Sequence, residues 1–207
     1  MTESQIDRLT RADRDIIESI VPRGSSVLDL GCGDGGLLAE LAEKKGVIGR
    51  GVDIDWQNLI RGMERGLSVY QGDLDEGLTD FPDASFDYVI LNQTLQVITK
   101  PRKVIREMLR IGEYGIVGFP NFGNWNLRLS LLLHGRMPKS ETLPFEWYDT
   151  PNIHPLTILD FREFCTIEGI RIIREEYFIF GKWRYSSVIN PLANVLALNG
   201  MFVITRN

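Results

Sequence analysis

The segment Val27-Leu28-Asp29-Leu30-Gly31-Cys32-Gly33-Asp34-Gly35-Gly36 constrains the fold more than any other stretch of the chain. An apolar strand, Val27–Leu30, runs straight into glycines. Leu37, Leu38, Leu41 and Ala42 then recur at helical spacing until Gly46 stops them. Strand, tight turn and helix form the opening of a βαβ unit, whose strands pair in parallel. Gly31 and Gly33 let the backbone turn sharply and approach a ligand closely. The helix that follows points free N–H groups at that ligand.

The alternation continues along the chain. Val47–Ile54, Ser68–Gln71, Phe86–Leu91 and Tyr114–Phe119 read as strands, followed later by Arg171–Phe180 and Met201–Thr205. Ile6, Leu9, Ile16, Ile17 and Ile20 share a helical face that Pro22-Arg23-Gly24 ends. Trp56 to Arg65 reads as a short helix. Pro101 opens another, with Val104, Ile105, Met108 and Leu109 on one face. Leu127–Leu133 and Thr157–Glu168 are helical as well. The expected fold is α/β and Rossmann-like. It has about seven mostly parallel strands, helices between the first six, and helices on both faces of the sheet. All 207 residues are expected in one domain, which at this length buries roughly 70% of its unfolded surface.

Two stretches depart from the alternation. Residues 120–155 hold five prolines, two tryptophans and both histidines. A loop-rich stretch of this length is expected to act as a lid and specificity region. Residues 181–200 form a long link between the last two strands, with Val188, Ile189, Leu192, Val195, Leu196 and Leu198. Such an apolar insertion packs on its own core or meets another chain. Arg184 to Leu198, with Leu127–Leu133 beside it, is the expected partner surface.

Composition narrows the function classes. The net charge of −5 weighs against charge-driven binding of nucleic acid. No apolar run approaches the ~20 residues of a membrane span. The N-terminal MTESQIDRLTRADRD lacks the apolar core of a signal peptide, so a cytoplasmic location is expected. Cys32, Cys165, His134 and His154 show no metal-ligand spacing, and no metal is expected.

The acidic residues select the ligand. Gly31, Gly33 and Gly36 satisfy the dinucleotide pattern GxGxxG. Asp29, two residues before the first glycine, would repel a pyrophosphate there. It suits a cation such as the ammonium or sulfonium of S-adenosylmethionine. Asp53 ends the next strand about 20 residues after the loop, where an acid takes the two hydroxyls of a ribose. Asp73 follows the third strand and can accept from an adenine amino group. All three lie at carboxyl ends of strands, the rim where open α/β sheets bind ligands. The structural alternative is that they are helix caps and turn residues. With their neighbours, the expected cofactor-binding set is Asp29, Gly31, Cys32, Gly33, Asp53, Ile54, Asp73, Leu74 and Asn92. The cofactor is S-adenosylmethionine or S-adenosylhomocysteine.

DLGCGDG, GVDID, QGDLDEGL and FDYVILNQTLQVI together resemble the class I S-adenosylmethionine-dependent methyltransferases. The resemblance implies that Gly31 and Gly33 hold the methionine part of the cofactor, Asp53 the ribose and Asp73 the adenine. It also implies a last strand that is antiparallel and inserted between the fifth and sixth. A narrower resemblance runs over nearly the whole chain. Asn92 to Gln96, Pro120-Asn121-Phe122-Gly123-Asn124-Trp125, Arg128 to Pro138 and Leu143 to His154 are similar to the MetW family. That implies a role in methionine biosynthesis beside the homoserine O-acyltransferase MetX. An independent methyltransferase acting on a small molecule is the alternative. A structural protein with a vestigial pocket fits poorly with an intact glycine loop and three acids.

Catalytic machinery is sparse. Asn92 ends the fourth strand near the expected methyl position, but Asn-Gln-Thr-Leu lacks the Asn-Pro-Pro-aromatic pattern of amino-methylating nucleic-acid enzymes. Gln96 cannot act as a base. Tyr148 and His154 are the other candidates, His154 because an imidazole can take up or give a proton. His154 reads equally as a loop anchor, and His134 as a C-terminal helix cap. Cys32 reads as a small residue that fits the loop, its thiol pKa raised by Asp29 and Asp34.

Overall fold

The computed structural model describes residues 3–140, 143–179, 182–186 and 192–207, with the backbone alone for 3–9 and 182–186. Phe180, Val188 and Ile189 therefore lie outside the described residues, as do the side chains of Ile6, Leu9 and Arg184.

The sheet has eight strands in the order β3-β2-β1-β4-β5-β8-β6-β7. β1 (Ser26–Leu30), β2 (Ile48–Asp53), β3 (Ser68–Gln71), β4 (Phe86–Asn92) and β5 (Gly112–Pro120) are parallel. β8 (Asn199–Arg206) enters antiparallel between β5 and β6 (Ile170–Ile179). The seven expected strands are thus present, and the last of them lies where the class I resemblance puts it. An eighth, β7 (Lys182–Ser186), pairs antiparallel with β6 at the edge. It falls in the stretch that the sequence presents as a link. A second correction concerns residues 72–85, where a crossover helix was expected. The chain instead makes successive turns, with N–H groups of Glu76, Gly77 and Phe81 donating to Asp73, Leu74 and Leu78. Gly72, Gly77 and Pro82 break a helix there, while Leu74, Leu78 and Phe81 still reach the core.

Alternation along the strands divides the core into two layers. Leu28, Leu30, Val89, Leu91, Val117 and Phe119 face α4 (Pro101–Ile111) and α6 (Ile158–Glu168). Val27, Ile90 and Ile116 face α1 (Glu3–Ile20) and α2 (Gly36–Lys45) through Ile17, Val21, Leu38 and Leu41. α3 (Trp56–Glu64) begins at Asp55, whose carboxylate accepts the Gln57 N–H. α6 begins with a reciprocal capping box between Thr157 and Asp160. α5 (Trp125–His134) is capped by Asn124 and ends at Gly135. His134 Nδ1 lies 3.0 Å from the Ser130 carbonyl oxygen in its last turn.

The described end of the apolar insertion packs down on its own domain. Ala193 and Ala197, in and beside α7 (Ala193–Leu196), are fully buried, and Leu196 packs on the same cluster. The Asn121 carboxamide secures it. Its Nδ2 donates to the Asn194 and Ala197 carbonyls at 3.0 and 2.9 Å, and its Oδ1 accepts the Gly123 and Ile158 N–H groups. The Pro120–Trp125 motif therefore joins the end of β5, the start of α6 and α7.

Candidate functional site

The carboxyl ends of β1 to β4 form one rim. Gly31 and Cys32 both donate their N–H groups to the Val52 carbonyl, at 2.8 and 3.0 Å. That hooks the glycine loop onto the end of β2. Gly31 and Gly33 hold φ of +76° and +54°, the left-handed region that favours glycine. Asp53 then clamps the loop. Its Oδ2 accepts the Gly33 N–H at 2.7 Å and its Oδ1 accepts the Asp55 N–H at 2.9 Å. Across the rim, Asp73 Oδ1 accepts the Asp75 N–H at 2.9 Å. Asp75 in turn accepts the N–H groups of Thr99 and Lys100, tying the loop after β3 to the start of α4.

These loops enclose a cleft of about 370 Å³. Gly31, Asp53, Ile54, Asp73 and Leu74 line one part of it. Thr94, Val97 and Ile98, in and around the 3₁₀ turn Leu95–Val97, line another. Thr94 presses close to the loop: a Cβ built on Gly31 would lie 2.6 Å from its Oγ1.

Other candidate residues lie outside the lining. Asp29 is only 4% exposed. Burial pushes its carboxyl up to about 7, Asp53 adds repulsion, and Arg14 partly opposes both. Cys32 is buried, with Sγ packed against Gly51. Burial, then Asp29 and Asp53, push its thiol up to about 12. Asn92 turns toward α1, where its Nδ2 donates to Asp13 Oδ2 at 3.4 Å.

Asp13 is the residue that sequence reasoning missed. It is 2% exposed, and Gln93 Nε2 also donates to its Oδ2, at 3.1 Å. Burial pushes its carboxyl up to about 7 against the pull of those two hydrogen bonds. The available signal was a carboxylate on the apolar stripe of α1, at helical spacing from Ile16, Ile17 and Ile20.

Asn92, Tyr148 and His154 are not brought together on the cleft wall. Tyr148 is 71% exposed and meets Trp147 edge to face. His154 lines a separate hollow between the 3₁₀ turn, α4 and α6, and its Nε2 is buried without a hydrogen-bond partner. None of the described residues of 120–155 lines the cleft. The stretch is nonetheless anchored next to it. Ile153 and His154 donate their N–H groups to the Gln96 carbonyl at 2.8 and 3.0 Å. Among the described residues, no group of His, Cys, Asp and Glu is placed to hold a metal ion, and no helix is long and apolar enough to cross a membrane.

The chain is 40% identical over 181 residues to a bifunctional methionine biosynthesis protein MetXA/MetW of Rhodopirellula baltica, covering 83% of this chain and 29% of that one. It is 38% identical over 103 residues to the ribosomal protein L11 methyltransferase of Burkholderia mallei, covering 48% of this chain and 32% of that one. The chain thus spans about a third of the length of these relatives. A solved methyltransferase of Thermotoga maritima, described as S-adenosylmethionine-dependent and a possible histamine N-methyltransferase, superposes with a TM-score of 0.72 at 15% identity, over 98% of this chain and 91% of that one. An S-adenosylmethionine-dependent methyltransferase of Archaeoglobus fulgidus gives 0.62 at 16% identity over the full length of both. The family described as methionine biosynthesis protein MetW matches residues 11–204. With the sheet order and the glycine rim in place, the chain belongs to the MetW family, built on the class I methyltransferase fold.

Proposed function

We propose that this protein binds S-adenosylmethionine or S-adenosylhomocysteine in the rim cleft and serves methionine biosynthesis in the cytoplasm together with the homoserine O-acyltransferase MetX. The observation that carries the first part is the clamp of Asp53 on Gly33, with Asp73 across the cleft. Carboxylates facing a cleft of about 370 Å³ suit hydroxyl, amino and cationic groups and repel phosphates. Each Asp53 oxygen accepts one backbone N–H and keeps a second lone pair for a ribose hydroxyl. Ile54 and Leu74 offer apolar walls for a purine, with the Asp73 carboxylate near its amino group. Gly31, with the backbone of Cys32 and Gly33 beside it, would face the methionine part, with Asp29 below them as its counter-charge. When bound, S-adenosylmethionine supplies an electrophilic methyl group. The chain's own residues hold and orient that cofactor.

The partnership rests on the R. baltica relative, which carries MetXA and MetW in one polypeptide. The two free, buried cysteines fit a reducing compartment. A second reading, methyl transfer to a small molecule, is favoured by one observation. Asp13, buried beside Asn92 and ionising near neutrality, is a proton acceptor that the strand end itself lacks. Two measurements separate the readings. Calorimetry with S-adenosylmethionine should show binding, and its absence would remove both. Co-purification with MetX of the same organism supports the first. Cofactor binding without MetX association leaves the second.

A further inference from the structure

Half of the exposed large apolar side chains among the described residues fall between residues 125 and 153. α5 explains much of this. Its only buried side chain is Leu127, while Leu132 and Leu133 are 79% and 68% exposed. A helix that is apolar around most of its girth is normally covered. Facing it, Trp147 is 74% exposed. Between helix and loop lies a hollow of about 240 Å³, walled by Leu127, Leu131, Leu143, Phe145 and Trp147. Polar groups stand at its margin, among them the Lys139–Glu146 ion pair at 2.5 Å and Arg128. Aromatic and aliphatic anchors around a hollow, with a charged rim, are the anatomy of a protein–protein interface.

We propose that this face, α5 with the loop from Leu143 to Tyr148, docks the homoserine O-acyltransferase; the inference rests on the partnership proposed above. The R. baltica relative supplies the occupant. There the matching segment makes up 29% of a chain that also carries the MetXA part, so the two are tethered at high effective concentration. A stable pairing of two such parts needs a contact of about 800 Å² on each side with buried aromatic anchors. At the described end of the 181–200 insertion Ala193, Ala197 and Leu196 pack inward and Leu192 is 59% exposed, so that end offers less apolar surface than α5. The α5 face contributes nothing to the cofactor cleft, so partner and cofactor can be held at once. Its anchors are Leu132 and Trp147.

The test uses the full chain and purified MetX of the same organism. Leu132→Asp and Trp147→Asp are expected to weaken the association at least tenfold while S-adenosylmethionine affinity stays within twofold of wild type. Ile167→Asp, an exposed apolar site on α6, is the control and should change neither. Unaltered MetX affinity in both anchor variants overturns the docking face and leaves the partnership standing. Failure of the wild-type chain to bind MetX overturns the partnership itself. A wild-type homodimer that Leu132→Asp dissociates, or binding to vesicles of anionic phospholipid that Trp147→Asp abolishes, assigns the face to a second copy or a membrane and overturns the proposal. If Leu132→Asp loses cofactor binding through misfolding, Leu133→Gln is read in its place.

Discussion

Asp53 holds the N–H of Gly33 at 2.7 Å across 20 residues of sequence. The carboxylate assigned to the ribose is therefore also the latch of the glycine loop. Removing it loses a cofactor contact and a loop constraint together. Asp53→Ala is expected to weaken S-adenosylmethionine binding by about 1–3 kcal/mol, the range for charge-assisted hydrogen bonds. Asp53→Asn keeps one acceptor oxygen and should lose less. Isothermal calorimetry reads both, and unchanged affinity in the alanine variant would falsify the ribose assignment.

Gly31 and Gly33 should respond differently to substitution, although both have positive φ. A Cβ on Gly31 meets Thr94 Oγ1 at 2.6 Å and Cγ2 at 2.8 Å, whereas one on Gly33 meets nothing within 4 Å. Gly33→Ala is expected to cost only the left-handed backbone penalty, about 1–2 kcal/mol. Gly31→Val adds a collision that must displace Thr94 from the cleft, and cofactor binding should be lost. Thr94→Ala in the Gly31→Val background should recover stability in part, since the φ strain persists. Thermal melting of the three variants gives the order, and equal melting of Gly31→Val and Gly33→Ala would refute this account.

The glycine loop and Asp53 were legible in sequence because strand, turn and helix signals lie within a few residues of one another. β7 was not. A short edge strand of mixed polarity, Lys182-Trp183-Arg184-Tyr185-Ser186, owes its state to pairing with β6 rather than to a pattern of its own. The turns between β3 and β4 depart from the expected alternation of strands and helices because Gly72, Gly77 and Pro82 break a helix there. Asp13 escaped because its partners Asn92 and Gln93 are 79 and 80 residues away. His154 could not be placed from sequence, since its position is set by the Gln96 carbonyl on a different element.

The cysteines give a chemical check on loop closure. Cys32 and Cys165 are buried, and both thiols are pushed up to about 12. For Cys165 burial is the main cause, with Glu175 adding repulsion. Thiolate is the reactive form, so neither side chain should react appreciably with iodoacetamide at pH 8 in the native protein. Both should react in urea. Mass spectrometry of the labelled chain decides this. Fast native labelling confined to Cys32 would show that the glycine loop opens in solution.

Asp29 and Asp13 make stability and cofactor affinity depend on pH in opposite directions. Each carboxyl is raised in the folded chain from 3.8 to about 7, chiefly by burial. Between those values the native state binds more protons than the unfolded state. Stability contributed by the two groups is therefore full below the unfolded pKa and falls as pH rises through about 7. Urea denaturation should show that decline, with Asp13→Asn and Asp29→Asn each removing part of it. Affinity should run the other way. The cationic methionine part of the cofactor favours the Asp29 carboxylate, so binding near pH 7 must displace a proton. Affinity is expected to rise between about pH 6 and 8, and calorimetry in buffers of different ionisation enthalpy should register proton release. Asp29→Asn should abolish the release, whereas Asp13→Asn, whose carboxyl accepts from the Asn92 and Gln93 amides instead of standing beside Asp53, should leave it intact. If wild-type affinity proves flat across that range, Asp29 is not the counter-charge of the cofactor.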